Sequence, residues 1–345
     1  MSNETETQGS RPTGFGAPIV GTFFLLALFI VITNGLVIIS YVISRRVRQV
    51  TSTFLFNLVV VDFHNGLISV PLAAFKEETT GTNYVVGKQF CVVASIWLPL
   101  MTKVATYSVV ALSLDRLISI LKPFRYREIV TNRRTYVALS FIWMFSLIDS
   151  CFPAFGLPTF HGEHHEVIAQ CTGSYNYGRI YLWWYIITSV AIPLVCIIVI
   201  YSVIYHIAKG HNQQIIALEV EVKTKSASED ASSKERKKIG RFSKAAKTAF
   251  VISSLFCICW IQFIIVFQLM AMCIIDRCSV NIYITIIPMS SCLALLISGI
   301  NPIVFAIRTP VVKEQVKRLL CVHKCTSSPI QVHPERSSLE QSNIT

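Results

Sequence analysis

Hydrophobic residues in this chain gather into long runs, and the polar residues lie between them. Crossing the hydrocarbon core of a bilayer, roughly 30 Å thick, takes about 20 helical residues. Seven runs have that length, at residues 19–44, 53–75, 91–121, 136–157, 181–208, 246–275 and 282–307. None alternates strictly between apolar and polar positions, as the strands of a membrane barrel do. The pattern predicts an all-α integral membrane protein, a bundle of seven transmembrane helices.

The segments around these runs predict the rest of the organisation. Residues 1–18 are polar and lack a basic stretch followed by a short apolar core, so we expect no cleavable signal peptide before the 19–307 bundle. The segment 209–245 is rich in Lys, Glu and Ser, which predicts a mobile loop with helical extensions at its ends. Residues 308–321 have the pattern of an amphipathic helix lying on the membrane surface, followed by a tail at 322–345.

Composition and charge support a membrane topology. The chain is 53% hydrophobic and 14% charged, which disfavours a soluble protein. If the N-terminus is outside, the basic clusters around 45–48, 122–134, 209–247 and after 308 all lie inside. This is the positive-inside pattern, so the net charge of +12 reflects topology. We predict a multi-pass plasma-membrane protein with its N-terminus outside and no nucleic-acid partner, because no basic stretch is interleaved with exposed aromatics.

Covalent modification is predicted at three places outside the runs. Asn3 begins an acceptor triplet for N-glycosylation. Cys273 and Cys278 lie on the predicted oxidising side, where they could form a disulfide or remain two thiols. Cys321 and Cys325 follow the amphipathic segment and are candidates for palmitoylation, the alternative being reduced thiols.

Polar residues kept inside the runs carry the functional information, because they are costly in lipid. Asn34 lies in the first run, Asp62 in the second and an Asn301-Pro302-Ile303-Val304-Phe305 stretch in the seventh. Further motif residues occur in order along the chain: Cys91, Asp115-Arg116-Leu117, Trp143, Pro193, Tyr201 and Phe256-Cys257-Ile258-Cys259-Trp260. Together they resemble the rhodopsin-like (class A) G-protein-coupled receptors. A weaker resemblance, in the 206–218 stretch and the short cysteine-flanked loop before the seventh run, is to the adenosine, lipid and trace-amine receptor branch.

The resemblance implies roles for individual residues. Arg116 would engage a heterotrimeric G protein, with arrestin as a further partner, and Asp115 would hold Arg116 at rest. The switch that stabilises the open state would comprise Tyr201, Asn301, Pro302 and Phe305. Asp62, Ser298 and Asn301 would form the inner part of a sodium pocket, the sole non-protein group expected. A disulfide between Cys91 and Cys171 is also implied. Trp260 would couple the ligand to the sixth helix, or serve only as core packing.

Several positions depart from the family pattern. Leu117 and Phe305 replace tyrosines, and Gln262 replaces the proline that kinks the sixth helix, so this helix should be straighter. Ala105 and Ile297 replace residues that often supply oxygen atoms to sodium, which argues against the ion. No acid lies at residues 241–242, where the family often places a glutamate that locks the arginine. We therefore hypothesise basal signalling.

Two single positions disfavour common ligand classes. Leu98 stands where amine receptors carry an aspartate, and Leu295 where opsins carry the retinal-binding lysine. The helical phase predicts a mostly apolar cavity, which favours a small lipid-like or weakly polar ligand. Its lining would be Leu98, Thr102, Tyr185, Ser189, Trp260, Phe263, Ile264, Phe267 and Ser291. The loop bearing His161, His164 and His165 could sense pH or bind a metal, or be simply solvated.

Lys103 is unusual, because it lies about three turns inside the third run. A bare ammonium is untenable there, and Asp149 of the fourth run lies at a similar depth. We favour a buried Lys103–Asp149 ion pair, with recognition of an anionic ligand by Lys103 as the alternative.

Other function classes find little support. No intramembrane catalytic motif is present, so we expect no enzyme, and few ionisable groups line the runs, as a transporter or channel would require. The remaining alternative is a receptor-like scaffold that does not couple to G protein, which Leu117, Gln262 and Phe305 make plausible.

Overall fold

The computed structural model describes residues 16–50, 52–79, 88–152, 179–224, 254–255, 257–263, 265–266 and 286–320, and the statements below concern these residues. Their regular structure is entirely helical. The helices α1 to α4 are Gly16–Ile43, Thr53–His64 continued into Val70–Thr79, Lys88–Leu121, and Asn132–Cys151. The helices α5, α7 and α8 are Arg179–Ile186 continued into Ile192–Thr224, Ile287–Arg308, and Pro310–Leu320. We call the helical residues 254–255, 257–263 and 265–266 α6.

Five helices are long and apolar enough to cross a membrane: Pro18–Ile43, Thr53–Phe75, Val92–Leu121, Trp183–Ile207 and Met289–Ile307. They correspond to five of the seven predicted runs. The 20-residue α4 begins four residues before the fourth run and covers it to Cys151, and residues 153–157 of the run lie outside the described part. Arg133, Arg134 and Asp149 lower the mean hydropathy of this helix. The sixth run is described only in part. The chain is thus a helical, multi-pass membrane protein.

Local sequence explains where the helices begin and bend. Ser52 caps α2 and Thr131 caps α4, each hydroxyl accepting a bond from a backbone N–H three residues on. Two helices contain a π-helical turn, Asn65–Ser69 in α2 and Ile187–Ala191 in α5. Each turn is followed two residues later by a proline, whose ring would clash with the carbonyl four residues before it. The wider turn accommodates the ring without ending the helix.

Two helices extend into the segments predicted to lie outside the bundle, the 209–245 loop and the amphipathic 308–321 segment. α5 continues to Thr224, so the first part of the predicted 209–245 loop is helical, and residues 225–245 lie outside the described part. α8 is an amphipathic helix at Pro310–Leu320, whose Val312 is fully buried. It packs against α7, α1 and the short helix Arg45–Val50, while its charged side faces outward with an Arg318–Glu314 ion pair at 2.5 Å.

The packing of the bundle places α1 beside α7 and α2, and α3 at the centre against α4, α2 and α5. The glycine at position 299 of α7 leaves room for the Phe29 ring of α1. A Cβ atom at Gly299 would lie 2.5 Å from Phe29 Cδ1. The packing of the Phe29 ring of α1 against α7 therefore depends on the missing side chain at Gly299.

We predict that Gly299→Ala destabilises the protein by about 1–3 kcal/mol, the usual cost of overpacking a close contact. The measurement is the melting temperature of the detergent-purified protein. Gly21→Ala is the matched control, because no atom lies within 4 Å of a Cβ at Gly21. Equal melting temperatures for the two variants would contradict this account of the α1–α7 contact.

Candidate functional site

A polar cluster joins α1, α2 and α7 in the middle of the bundle. Asp62 is 1% exposed and accepts a hydrogen bond from Ser298 Oγ at 2.7 Å and one from Asn301 Nδ2 at 3.4 Å. Asn34 Nδ2 donates to the carbonyl of Ser298 at 2.9 Å and to that of Ile30 at 2.9 Å. These bonds link the three helices through their buried side chains.

The same cluster contains the three predicted sodium ligands. The structure brings Asp62, Ser298 and Asn301 together, and Asn301 Oδ1 is buried with no hydrogen-bond partner among the described residues. Ala105 and Ile297 supply no side-chain oxygen, however, so the set falls short of a complete cation shell. Asp62 is already hydrogen-bonded by its neighbours. The residues fit sodium poorly, and no step below depends on an ion.

A second cluster lies at the end of α3, which we call the Arg116 end of the bundle. Asp115 is 2% exposed, and its Oδ2 lies 3.4 Å from an Arg116 nitrogen. The hydroxyl of Tyr126, in the short helix Tyr126–Ile129, donates to Asp115 Oδ1 at 2.6 Å. Burial, and then the bond to Asp115, raise the pKa of Tyr126, so this hydrogen bond persists further into alkaline pH than an unperturbed tyrosine would allow.

The predicted switch residues Tyr201 and Phe305 pack in the apolar core, and Asn301 belongs to the Asp62 cluster. Tyr201 and Phe305 are 8% and 5% exposed and belong to one apolar cluster that also contains Trp260 and Ile297. Pro302 is buried within α7, beside Asn301. The predicted switch residues of α5 and α7 therefore share a packed core.

Lys103 and Asp149 form an ion pair between α3 and α4, with side chains 0% and 3% exposed. Trp184 Nε1 of α5 donates to Asp149 Oδ1 at 2.6 Å, and Lys103 Nζ lies 5.3 Å from the centre of the Tyr185 ring. The Tyr185 side chain is in turn hydrogen-bonded to Thr102. One network thus links α3, α4 and α5.

The structure brings only some of the predicted cavity residues together. Thr102 and Tyr185 are hydrogen-bonded beside the ion pair. The rings of Trp260 and Phe263 pack edge to face, with their centroids 5.5 Å apart. Ser189 is fully buried, and its hydroxyl has no hydrogen-bond partner in the described part of the chain. Leu98 and Ser291 are partly buried. The predicted ligand cavity therefore stays a prediction, in which the contact between Trp260 and Phe263 is the part that the structure contains.

Sequence reasoning missed three residues. Trp184 and Tyr126 each contact a carboxylate that the sequence did identify, but their own positions carry no motif. Ser290, on α7, is hydrogen-bonded to Gln262. The sequence identified Gln262 as a departure from the family pattern, but it did not identify Ser290 as its partner.

Other predicted positions lie outside the described residues, or have side chains that are not described. These are Asn3, Cys91, His161, His164, His165, Cys171, Ile264, Phe267, Cys273, Cys278, Cys321 and Cys325.

We predict that Lys103→Met lowers stability by about 3–5 kcal/mol, because it leaves the Asp149 carboxylate buried without its cation. Lys103→Met combined with Asp149→Asn should recover much of that loss, since it removes both charges while the substituted amide oxygen can still accept from Trp184. Surface expression and the melting temperature in detergent measure the effect. A double variant as defective as Lys103→Met would show that the ion pair is not what holds these helices.

Comparison with known proteins agrees with this architecture. The family "7 transmembrane receptor (rhodopsin family)" matches residues 33–305. The alpha-1A adrenergic receptor of Oryzias latipes is 29% identical over 348 residues, covering 94% of this chain and 70% of the relative. The Rattus norvegicus receptor is 27% identical over 380 residues, covering 99% and 78%. The Homo sapiens receptor is 30% identical over 287 residues, covering 75% and 59%. The chain therefore belongs to the rhodopsin family of seven-transmembrane receptors.

Proposed function

We propose that this chain is a receptor that signals through heterotrimeric G proteins, and that the Arg116 end of the bundle faces the G protein. Arg116 carries this proposal. Its side chain is 28% exposed at the end of α3 and is paired there with the buried Asp115. The Arg116 side chain is exposed enough to reach a docking protein, and Tyr126 would still donate its hydrogen bond to Asp115 after Arg116 leaves. Arrestin is a further partner for the same surface.

The proposed orientation places the Arg116 end in the cytoplasm of a plasma-membrane receptor. The basic clusters near residues 45–48 and 122–134 accompany that end, as the positive-inside rule requires. The basic side of α8 supports the same orientation, since Lys313, Lys317 and Arg318 would face anionic lipid. An exposed α8 with this charge suits a helix lying on the inner leaflet.

We propose a neutral, weakly polar or lipid-like small molecule as the ligand. The relatives are named adrenergic receptors, but this chain carries Leu98 where an amine would need a carboxylate. Asp149 is not a substitute, because Lys103 and Trp184 already engage it. Asp149 likewise neutralises Lys103, which disfavours an anionic ligand. A neutral ligand avoids disturbing either charge.

A scaffold that modulates other receptors without coupling to G protein remains the second candidate. Leu117, Gln262 and Phe305 favour it, because each replaces a residue that family members use in activation.

A ligand-independent screen of all G-protein classes separates the two candidates. We expect the expressed receptor to activate at least one class above mock transfection, because no acid at residues 241–242 restrains Arg116. Arg116→Ala should reduce that signal to the mock level at equal surface expression. Arg318→Ala is the control, since it removes another exposed arginine, one that pairs with Glu314 on α8. Silence in every class at confirmed surface expression would favour the scaffold.

A further inference from the structure

An amide and a hydroxyl join α6 to α7 at a level where the family resemblance predicts a proline. Gln262 Nε2 donates to the backbone carbonyls of Ser290 at 3.0 Å and Cys259 at 2.8 Å. Ser290 Oγ donates to Gln262 Oε1 at 2.9 Å. Both polar atoms of the Gln262 side chain are therefore used, and two of the three bonds cross between helices. We call this arrangement the Gln262–Ser290 clasp.

The surroundings make these bonds hard to replace. Ser290 is 4% exposed and Gln262 is half-buried. Trp260, two residues earlier on α6, is 7% exposed. Within a bilayer no water is at hand to satisfy an amide or hydroxyl that loses its partner. Moving α6 away from α7 at this level therefore leaves several polar atoms without partners.

Gln262 also changes how α6 itself behaves. Residues 257–263 form continuous helix, and glutamine keeps the backbone N–H that proline lacks. The helix is therefore free of the kink that a proline introduces. The Gln262 side chain also donates to the Cys259 carbonyl one turn earlier. This bond stabilises the same turn of α6 that contacts α7.

We propose that Gln262 is a positioning residue: the clasp holds α6 against α7 while Arg116 pairs with Asp115, and it opens when α6 moves away. The structure contains the clasp and the Asp115–Arg116 pair together, so both belong to one arrangement of the helices. The signalling consequence of opening rests on the proposed function.

Graded variants test the clasp. An interhelical hydrogen bond in a membrane shifts a two-state equilibrium by about threefold. Ser290→Ala removes one such bond and should raise the ratio of open to closed receptor about threefold. Gln262→Met keeps the side-chain length but removes both interhelical hydrogen bonds, and it should raise the ratio of open to closed receptor up to about tenfold. Ser290→Thr keeps the hydroxyl and should resemble the wild type.

The double variant and a matched control make the test specific. Ser290→Ala should add nothing in the Gln262→Met background, because the partner is already gone. Ser40→Ala is the control, since Ser40 is fully buried on α1 but donates to its own helix at Leu36. This control should leave the ratio unchanged.

Two readouts keep the clasp and the proposed function separable. The first is basal G-protein activation per receptor at the cell surface. The second is resonance energy transfer between a luciferase fused after residue 345 and a fluorophore inserted in residues 225–240, recorded in cells that lack G proteins. This transfer reports the position of α6 without coupling.

Energy transfer decides whether the clasp holds α6, and G-protein activation decides whether the receptor couples, so unchanged energy transfer in both Ser290→Ala and Gln262→Met overturns the clasp whatever the G-protein signal. Energy transfer that shifts in the expected order, with no G-protein signal from any variant, supports the clasp and contradicts the proposed coupling. A wild-type G-protein signal that neither Ser290→Ala nor Gln262→Met raises, with energy transfer unchanged, overturns the clasp. Effects that multiply in the double variant overturn it as well. Should Gln262→Met fail to reach the surface, Ser290→Ala and Ser290→Thr still decide the question.

Discussion

The hydrocarbon core of a bilayer offers no water to a polar group, so a polar side chain in this bundle needs a partner on its own helix or on another one. Asp62 meets Ser298 across α2 and α7, Lys103 meets Asp149 across α3 and α4, and Gln262 meets Ser290 across α6 and α7. Apolar packing alone distinguishes poorly between rotations of a helix whose every face is apolar. These polar contacts fix the rotation, because a turned helix would leave them unmade.

The strengths of the contacts indicate which can open during signalling. Removing one member of a buried charge pair costs about 3–5 kcal/mol. An interhelical hydrogen bond between neutral groups contributes only about 0.6 kcal/mol in a membrane. Lys103–Asp149, reinforced by Trp184, is therefore suited to hold α3, α4 and α5 together permanently. The clasp is weak enough to break and re-form, and Asp115 keeps its bond from Tyr126 when Arg116 leaves. These magnitudes imply that α3, α4 and α5 form a rigid unit and that α6 can move.

The sequence predicted the spans well because length and apolarity determine them. It also identified Lys103 with Asp149, since two opposite charges at one depth on neighbouring helices have few other partners. It did not identify Trp184 or Ser290, because their contacts depend on the rotation of α5 and α7, which the sequence of one helix does not encode. The sequence did not predict the π-helical turns either. A proline indicates that a helix is distorted nearby, but it does not specify that the distortion is a wider turn. Tyr126 lies in a short connecting helix with no periodic pattern to place it.

The most direct test of these roles is an experimental structure of the receptor bound to a G protein. We predict that in this complex Arg116 has left Asp115, that Gln262 and Ser290 have separated, and that Lys103 remains paired with Asp149. A complex in which the Gln262–Ser290 bonds persist while the Lys103–Asp149 pair is broken would contradict these assignments.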